Sequence, residues 1–361
     1  GRMLNFAVGP VMMDDRILEI GKEQIPYFRT FEFSKVLLEN EKYIKKFFKA
    51  KDEARVIFLT GSGTSAMEAS LLNTLDENDK VLVINGGSFG QRFSEMCKVF
   101  GFNYTEIKCA YGKGITKKDL EPYQGKGYTA LLVNLDETST GVLYDIKLIS
   151  EFCKDNDIFL IVDSISSFLC DPFNMQELGV NLVLTGSQKA LAIPPGIAIV
   201  CVDEIAQERV TKIKTKSFYF NFKSYLENGK RGQTPFTPAV GILLQLHRRL
   251  KMIDENGGVD YEIKKVKKRA LYFRNRIVSL PFNFFTEEMS NAVTALTLKD
   301  YTKSAYDLFI ILKEEYGIYI CPNGGELKDK VFRVGHMGNL EEKDYDTLIA
   351  AFYDLQRRNI I

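Results

Sequence analysis

The chain has 361 residues, of which 45% are hydrophobic and 26% are charged, and its formal net charge is +1. At about 150 residues per domain, this length predicts two domains, and the composition excludes a disordered or fibrous protein. The balance of 48 Lys and Arg against 47 Asp and Glu removes any general electrostatic reason to bind nucleic acid or an anionic membrane.

Histidine and cysteine usage narrows the chemistry further. The two histidines, His247 and His336, disfavour a zinc site built from imidazoles, and we expect no metal. The six cysteines form no C-x-x-C pair, which favours reduced core residues over a disulfide framework. We recognise neither a signal peptide nor an apolar run as long as a membrane span. We therefore expect a soluble, cytoplasmic protein.

Short apolar runs alternate with segments of helical spacing between residues 56 and 202. Such runs are typical of strands that are buried on both faces. Repeated strand–helix units predict an α/β fold with a mostly parallel sheet, and ligands bind such sheets beyond the carboxyl ends of the strands. The predicted strands are Val56–Leu59, Val81–Ile84, Ala130–Val133, Ile158–Val162, Leu182–Leu184 and Ile197–Val200.

The pattern changes after Pro238. One helical stretch ends at Gly257 and Gly258, and a second helix carries apolar residues at helical intervals from Ile263 to Ile277. Strand-like pieces follow at Ala292–Leu296, Ile318–Cys321 and Val331–Val334. We therefore predict a large domain over residues 15–254 and a small α+β domain over residues 255–361. We expect residues 1–14 to belong to the small domain.

A glycine-rich turn follows the first predicted strand and opens a helix, with the sequence Thr60-Gly61-Ser62-Gly63-Thr64-Ser65-Ala66. Glycine lets the backbone approach a ligand, and the free N–H groups of a helix N-terminus attract anions. The turn indicates a phosphate site, although an ordinary strand-to-helix turn has the same pattern. An NAD site is disfavoured because the next strand ends at Asn85, where a dinucleotide enzyme needs an acid for the ribose.

Two residues with acid–base chemistry follow other predicted strands. Asp163 comes after the most apolar strand, where a buried carboxylate needs a cationic partner or caps the next helix. Lys189 lies in a turn of small residues after Leu182–Leu184. A phosphate site, a carboxylate and a lysine at one sheet edge are what pyridoxal phosphate requires. The lysine would form the Schiff base, and the carboxylate would keep the pyridine nitrogen protonated.

The sequence resembles the class V aminotransferases of fold type I. The likeness is greatest to alanine–glyoxylate and serine–pyruvate aminotransferases, with 2-aminoethylphosphonate transaminases close behind. It runs from Asn5 to Gly335, and its most specific motif is Gly186–Leu191 followed by Pro194-Pro195-Gly196. The resemblance implies the PLP-dependent transferase fold type I, pyridoxal 5'-phosphate as cofactor, and transfer of an amino group between a small amino donor and a small 2-oxo acid.

The resemblance also implies roles for individual residues. Lys189 and Asp163 match the Schiff-base lysine and the partner of the pyridine nitrogen, and Arg333 matches the residue that binds the substrate carboxylate. Ser62, Gly63 and Thr64 match the turn that binds the cofactor phosphate, and Gln188 matches a residue beside that phosphate. Phe89 matches the aromatic residue that stacks on the cofactor ring, and the Thr138 hydroxyl matches one that bonds near the ring oxygen.

The same family match extends to the subunit interface and to the substrate. Thr234 and Thr237 match residues that reach the phosphate of the neighbouring subunit, which implies a homodimer. Gly9 matches a loop that folds over the site, and Arg29 belongs to a segment near the substrate.

The sequence departs from the family pattern at two positions, and the departure at Phe28, in the segment near the substrate, leaves the donor open. Phe28 stands where relatives often have histidine, and Phe89 replaces the more common Trp or Tyr. Alanine, serine and 2-aminoethylphosphonate all remain candidate donors.

Two other classes of function remain as alternatives. A lyase or cysteine desulfurase of the same fold usually carries His before the lysine and a reactive Cys in a mobile loop. Here Gln188 precedes Lys189, and Cys321, ahead of a Gly-rich stretch, is the nearest equivalent of that cysteine. A non-catalytic or NAD-binding protein would instead give a colourless preparation.

Overall fold

Strands and helices alternate along residues 3–361, the part of the chain that this computed structural model describes. The strands are β1 (Leu4–Asn5), β2 (Arg55–Thr60), β3 (Lys80–Asn85), β4 (Asn103–Lys108), β5 (Ala130–Asn134), β6 (Asp136–Glu137), β7 (Val142–Leu143), β8 (Phe159–Asp163), β9 (Leu182–Gly186), β10 (Ile197–Val202), β11 (Phe282–Phe284), β12 (Val293–Leu298), β13 (Ile318–Tyr319) and β14 (Val331–Gly335).

The helices cover both faces of the central sheet and one face of a smaller one. They are α1 (Asp15–Ile20), α2 (Phe31–Phe48), α3 (Gly63–Thr74), α4 (Ser88–Phe100), α5 (Lys117–Leu120), α6 (Ile146–Asp155), α7 (Met175–Leu178), α8 (Glu204–Lys212), α9 (Phe222–Gly229), α10 (Val240–Glu255), α11 (Gly258–Arg276), α12 (Ala305–Ile311) and α13 (Glu342–Arg357). A π-helical turn at Leu312–Tyr316 extends α12, and single 3₁₀ turns lie at Glu121–Tyr123 and Gly325–Leu327.

The central sheet has the strand order β2-β10-β9-β8-β5-β3-β4. β10 pairs antiparallel with β2 and β9, whereas the other pairings are parallel. Successive side chains enter different cores: Leu82 packs into the core beneath α2 and α10, and Val83 into the core beneath α3 and α4. The inner strands of this sheet are apolar because both of its faces are covered.

All six strands predicted between residues 56 and 202 are confirmed. β5 and β8 each run one residue further than predicted, so Asn134 and Asp163 belong to the sheet itself. β4 was missed because it is an edge strand that pairs with β3 alone within the described residues. Its half-exposed sequence has no continuous apolar run, which was the signal used to find strands.

A second sheet, of order β11-β12-β14, packs against α11, α12 and α13. The three strand-like pieces predicted after residue 290 are confirmed as β12, β13 and β14, and the short β11 was missed. β1 pairs with β13 in parallel, so the N-terminal segment packs on this part of the fold. The domain boundary at residue 255 stays a prediction, and residues 1 and 2 of the segment assigned to the small domain lie outside the described residues.

The parallel pairing decides where a site can form. Since β5, β8 and β9 are parallel neighbours, the turns after their carboxyl ends meet at one edge of the sheet. Within residues 3–361, none of the helices combines the length and the apolar character needed to cross a bilayer.

Candidate active site

Asp163 and Lys189 lie at the carboxyl ends of adjacent strands. Asp163 is the last residue of β8, and Lys189 follows β9, which pairs with β8 in parallel. Their side chains are 4% and 6% exposed. Burial raises the pKa of Asp163 to about 6, because desolvation disfavours the carboxylate. The positive charge of Lys189 opposes that shift, so each group lies within the electrostatic field of the other.

Two hydrogen bonds fix the Asp163 carboxylate. Asn134 Nδ2 donates to Oδ2 at 2.6 Å, and the Ile165 backbone N–H donates to Oδ1 at 2.7 Å. Asn134 is the last residue of β5 and stands directly opposite Asp163 in the ladder. Sequence reasoning missed Asn134, although a polar residue at the end of a buried strand was a signal that could have identified it.

The surroundings of Lys189 favour its neutral form. Burial lowers the pKa of Lys189, and the positive charge of Arg333 lowers it further. Gly9, at φ +137°, packs so closely that a Cβ there would lie 3.2 Å from Lys189 Cγ. Lys189 Nζ lies 5.7 Å from the centre of the Phe89 ring. The buried Gln188 Oε1 has no hydrogen-bond partner among residues 3–361.

The phosphate turn predicted from the sequence forms the start of α3. Gly63 is its first residue, and the exposed Ser62 is its N-cap without a side-chain cap hydrogen bond. A Cβ on Gly63 would lie 2.6 Å from Ile165 Cδ1, and a Cβ on Gly186 would lie 3.5 Å from Gly63 Cα. The start of α3 therefore lies against the turns after β8 and β9, with N–H groups free for an anion.

Phe89 lies on the first turn of α4, where a buried carboxylate fixes the backbone. Glu137 accepts hydrogen bonds from the Gly90 N–H at 2.9 Å and from the Ser139 hydroxyl at 2.6 Å. A Cβ on Gly87 would lie 2.6 Å from Glu137 Cδ, so glycine is needed for this approach. Sequence reasoning missed Glu137, which holds the start of α4 and thereby the Phe89 ring.

Arg92 joins α4 to the phosphate turn. Its Nη1 donates to Thr64 Oγ1 at 3.0 Å, and its guanidinium carbon lies 4.9 Å from the centre of the Phe89 ring. The sequence contained no signal that marked Arg92, since an arginine on an amphipathic helix is ordinarily a solvated residue.

Arg333 is a buried cation without a counter-charge. It is 8% exposed, and its Nη1 and Nη2 donate to the Thr138 and Pro322 carbonyls at 3.0 and 2.6 Å. Its Nε has no hydrogen-bond partner, and no carboxylate of residues 3–361 forms an ion pair with it. The Thr138 hydroxyl lies 2.5 Å from Ser166 Oγ. A buried guanidinium of this kind requires an anion.

Arg29 forms hydrogen bonds to the turn that contains Thr234. Arg29 Nη1 donates to Gln233 Oε1 at 2.8 Å and to the Thr234 carbonyl at 2.7 Å, and the Thr234 hydroxyl donates to the Phe236 carbonyl at 2.6 Å. Among the described residues, no hydrogen bond joins Arg29, Thr234 or Thr237 to Lys189 or to the phosphate turn. Their assigned roles stay predictions.

Comparison with known proteins decides the family. The family model for aminotransferase class-V matches residues 27–326. An uncharacterized aminotransferase of Methanocaldococcus jannaschii is 33% identical, over 93% of this chain and 88% of its own. The chain belongs to the class-V aminotransferases.

Other relatives of this class-V aminotransferase agree in sequence and fold. A serine–glyoxylate aminotransferase of Arabidopsis thaliana is 28% identical, over 95% of this chain and 87% of its own. The crystal structure of a subgroup IV aspartate aminotransferase from Thermus thermophilus superposes with a TM-score of 0.90 and 26% identity, covering 98% and 99% of the two chains. The protein therefore has the PLP-dependent transferase fold type I, and it is an enzyme that transfers amino groups with pyridoxal phosphate.

The residues present fit this cofactor. The uncapped start of α3 offers N–H groups to a phosphate, and Asp163 is a buried carboxylate available to a protonated ring nitrogen. Lys189 is a buried amine beside the Phe89 ring. The three groups that pyridoxal phosphate needs therefore occur together at one edge of the sheet.

The raised pKa of Asp163 predicts a pH-dependent stability of the cofactor-free protein. The folded state binds this proton more tightly than the unfolded state, so Asp163 stabilises the fold at low pH. That contribution is lost as the pH rises from 3.8 towards about 6. Relative to Asp163→Asn, which does not titrate, the wild-type apoenzyme should lose about 2 kcal/mol of unfolding free energy between about pH 4 and pH 7.

Urea unfolding of both apoenzymes at the two pH values measures this difference. Titrating groups remote from Asp163 are shared by the two proteins and cancel in the comparison. An equal stability difference between the two proteins at both pH values would show that Asp163 is not desolvated in the folded state.

Proposed function

We propose that this class-V aminotransferase moves an amino group from a small amino donor to a small 2-oxo acid such as pyruvate or glyoxylate, and that Lys189 forms the Schiff base. The observation that carries the proposal is a buried lysine within the fields of a buried acid, Asp163, and of a buried arginine, Arg333. An amine, an acid and a carboxylate-binding cation are the groups that transamination needs. The glyoxylate-using relative from Arabidopsis thaliana supports the oxo-acid acceptor.

Lys189 is suited to move a proton. A general base must be uncharged when it accepts its proton, and burial together with the positive charge of Arg333 lowers the pKa of Lys189, which favours the uncharged amine. When bound, pyridoxal phosphate supplies an electron sink that stabilises negative charge on the donor carbon. Once the donor amine has displaced Lys189 from the cofactor, its free Nζ would take the proton from the donor carbon and would then give it to the cofactor carbon that carries the transferred nitrogen.

Asp163 is proposed to hold the proton on the ring nitrogen. Asn134 and the Ile165 N–H orient its two oxygens, and a cationic ring nitrogen would lower its raised pKa by charge pairing. Around it, Phe89 would stack on the ring and the Thr138 hydroxyl would bond near the ring oxygen. The phosphate would accept hydrogen bonds from the N–H groups and hydroxyls of the turn formed by Ser62, Gly63 and Thr64. Gln188 would contact the same phosphate.

Arg333 is proposed to bind the carboxylate of both substrates. Its guanidinium is fixed by the Thr138 and Pro322 carbonyls, which leaves Nε without a partner among the described residues. A planar guanidinium binds a carboxylate with two parallel hydrogen bonds. Alanine, serine and the oxo acid all carry that group, and 2-aminoethylphosphonate would offer its phosphonate in the same place, so one arginine would serve both half-reactions. Gly9, packed on Lys189, would cover the site, and Arg29 would act near the substrate.

The cysteine desulfurase alternative is less well supported. Cys321 is 8% exposed, and it exchanges two backbone hydrogen bonds of 2.8 Å with Arg333. A cysteine held in this ladder is not on a mobile loop of the kind that delivers sulfur. Incubation with cysteine and an assay for sulfide would separate the two activities.

The homodimer is supported by an exposed aromatic surface next to Thr234 and Thr237. Tyr27, Phe31 and Phe218 are 67%, 82% and 84% exposed, and Phe218 packs on Phe236 of the same turn. Large exposed apolar patches mark interaction sites. We propose that a second copy of this chain covers this surface and receives Thr234 and Thr237 at its phosphate. The free cysteines within the described chain support a reducing, cytoplasmic location.

Substitution of Lys189 by Ala should abolish transamination, because no other amine is placed to move the proton. The assay scores loss of the absorbance of the bound cofactor against alanine, serine and 2-aminoethylphosphonate, each followed by pyruvate or glyoxylate. Lys98→Ala, which removes an exposed lysine of α4, is the control and should retain the wild-type rate. Wild-type rates in the Lys189→Ala protein would refute the proposal.

Substitution of Arg333 by Gln should weaken binding of carboxylate substrates specifically. Loss of a buried, charge-assisted double hydrogen bond predicts a fall in kcat/KM for alanine and for pyruvate of about a hundredfold. The slow reaction of a simple alkylamine, which has no carboxylate, should stay within about twofold. Equal losses for alanine and for the alkylamine would show that Arg333 acts on the fold and not on the carboxylate.

Hybrid dimers should test whether Thr237 acts across the interface. Lys189→Ala and Thr237→Glu subunits are each expected to be inactive alone, the second because a carboxylate would face the phosphate. A random mixture should recover about a quarter of the wild-type activity, since each hybrid contains one complete site. Hybrids that form, as shown by differently tagged subunits, but recover no activity would place Thr237 in its own subunit's site.

A further inference from the structure

Arg92 is a half-buried cation without a paired carboxylate. Across residues 3–361, none of the ion pairs includes it, and its contacts are the Thr64 hydroxyl at 3.0 Å and the Phe89 ring at 4.9 Å. Arginines on amphipathic helices usually extend into solvent. This one instead points across from α4 to the first turn of α3, and it brings a full positive charge to a turn that has none of its own.

The hydrogen bond to Arg92 also orients the Thr64 hydroxyl. A hydroxyl has one proton to donate and two lone pairs to accept with. Thr64 Oγ1 accepts from Arg92 and has no other hydrogen-bond partner within the described chain. Its proton is therefore available to an acceptor at the uncapped start of α3, the place proposed above for the phosphate.

We infer that Arg92 is the positioning residue that recognises the charge of the cofactor phosphate, acting through the Thr64 hydroxyl. The inference rests on the proposed function, because it takes the start of α3 as the phosphate site. A phosphate monoester carries close to two negative charges near neutral pH, and helix N–H groups balance only about half of one charge. Arg92 supplies a full charge and a correctly oriented hydroxyl in addition.

A purely structural role makes a different prediction. If Arg92 served to hold the Phe89 ring by a cation–π contact, its loss would weaken ring stacking. Cofactors with and without the phosphate would then be affected alike. Recognition of phosphate charge would instead affect the phosphorylated cofactor alone. Pyridoxal, which lacks the phosphate, therefore separates the two roles.

The experiment titrates the wild-type, Arg92→Met and Arg92→Lys apoenzymes with pyridoxal phosphate and with pyridoxal, and measures both Kd values. Methionine keeps an apolar stem over Phe89 and removes the charge. It should raise the Kd for pyridoxal phosphate about tenfold and leave that for pyridoxal within about twofold. Lysine keeps the charge and should fall between methionine and wild type.

Lys98→Gln is the matched control. It removes one positive charge from the exposed end of the same helix and should leave both Kd values unchanged. Equal Kd changes for the two cofactors in Arg92→Met, or no change in either, would overturn the inference. If the wild-type apoenzyme itself failed to bind pyridoxal phosphate, the proposed function would fail instead, so the two failures are distinguishable.

Discussion

The removal of one amine and one carboxylate from water at neighbouring strand ends is the constraint on which the site depends. Lys189 and Asp163 are buried where β8 and β9 end, and desolvation disfavours the charged form of each. The pKa of Lys189 is thereby lowered and that of Asp163 raised. Acid–base chemistry near neutral pH needs such pKa shifts. The parallel sheet causes them because it buries both groups at the carboxyl ends of its neighbouring strands.

The cost of this burial is offset by backbone and amide donors. Asp163 is held by Asn134 and the Ile165 N–H, and Glu137 by the start of α4. Asp136 differs: its two oxygens are buried without a hydrogen-bond partner within residues 3–361, and burial, with the nearby charge of Asp171, raises its pKa well above the ordinary range. The charges of Asp136 and Asp163 act to raise the pKa of Lys189, but burial and the positive charge of Arg333 outweigh them, so the pKa of the lysine is lowered.

How much could be predicted from the sequence depended on whether a signal was local. Six of the seven central strands and the turn at Ser62–Thr64 were predictable, because buried strands are continuous apolar runs and two closely spaced glycines, Gly61 and Gly63, precede a helical pattern. Lys189 and Asp163 were predictable as strand-end residues, and the family resemblance added Arg333. Asn134 and Arg92 were not, since Asn134 acts through the register of β5 against β8 and Arg92 through the packing of α4 on α3. Both contacts join residues that are distant in the sequence, so no local pattern indicates them.

Chemical trapping of the lysine tests the central claim most directly. Borohydride reduction of the holoenzyme, followed by digestion and mass spectrometry of the peptides, locates the amine that is joined to the cofactor aldehyde. The structure predicts a single phosphopyridoxyl group, on the peptide that contains Lys189. The same peptide should carry no such group when the cofactor is removed before the reduction. The label on a different lysine, or a holoenzyme that cannot be labelled, would contradict the account.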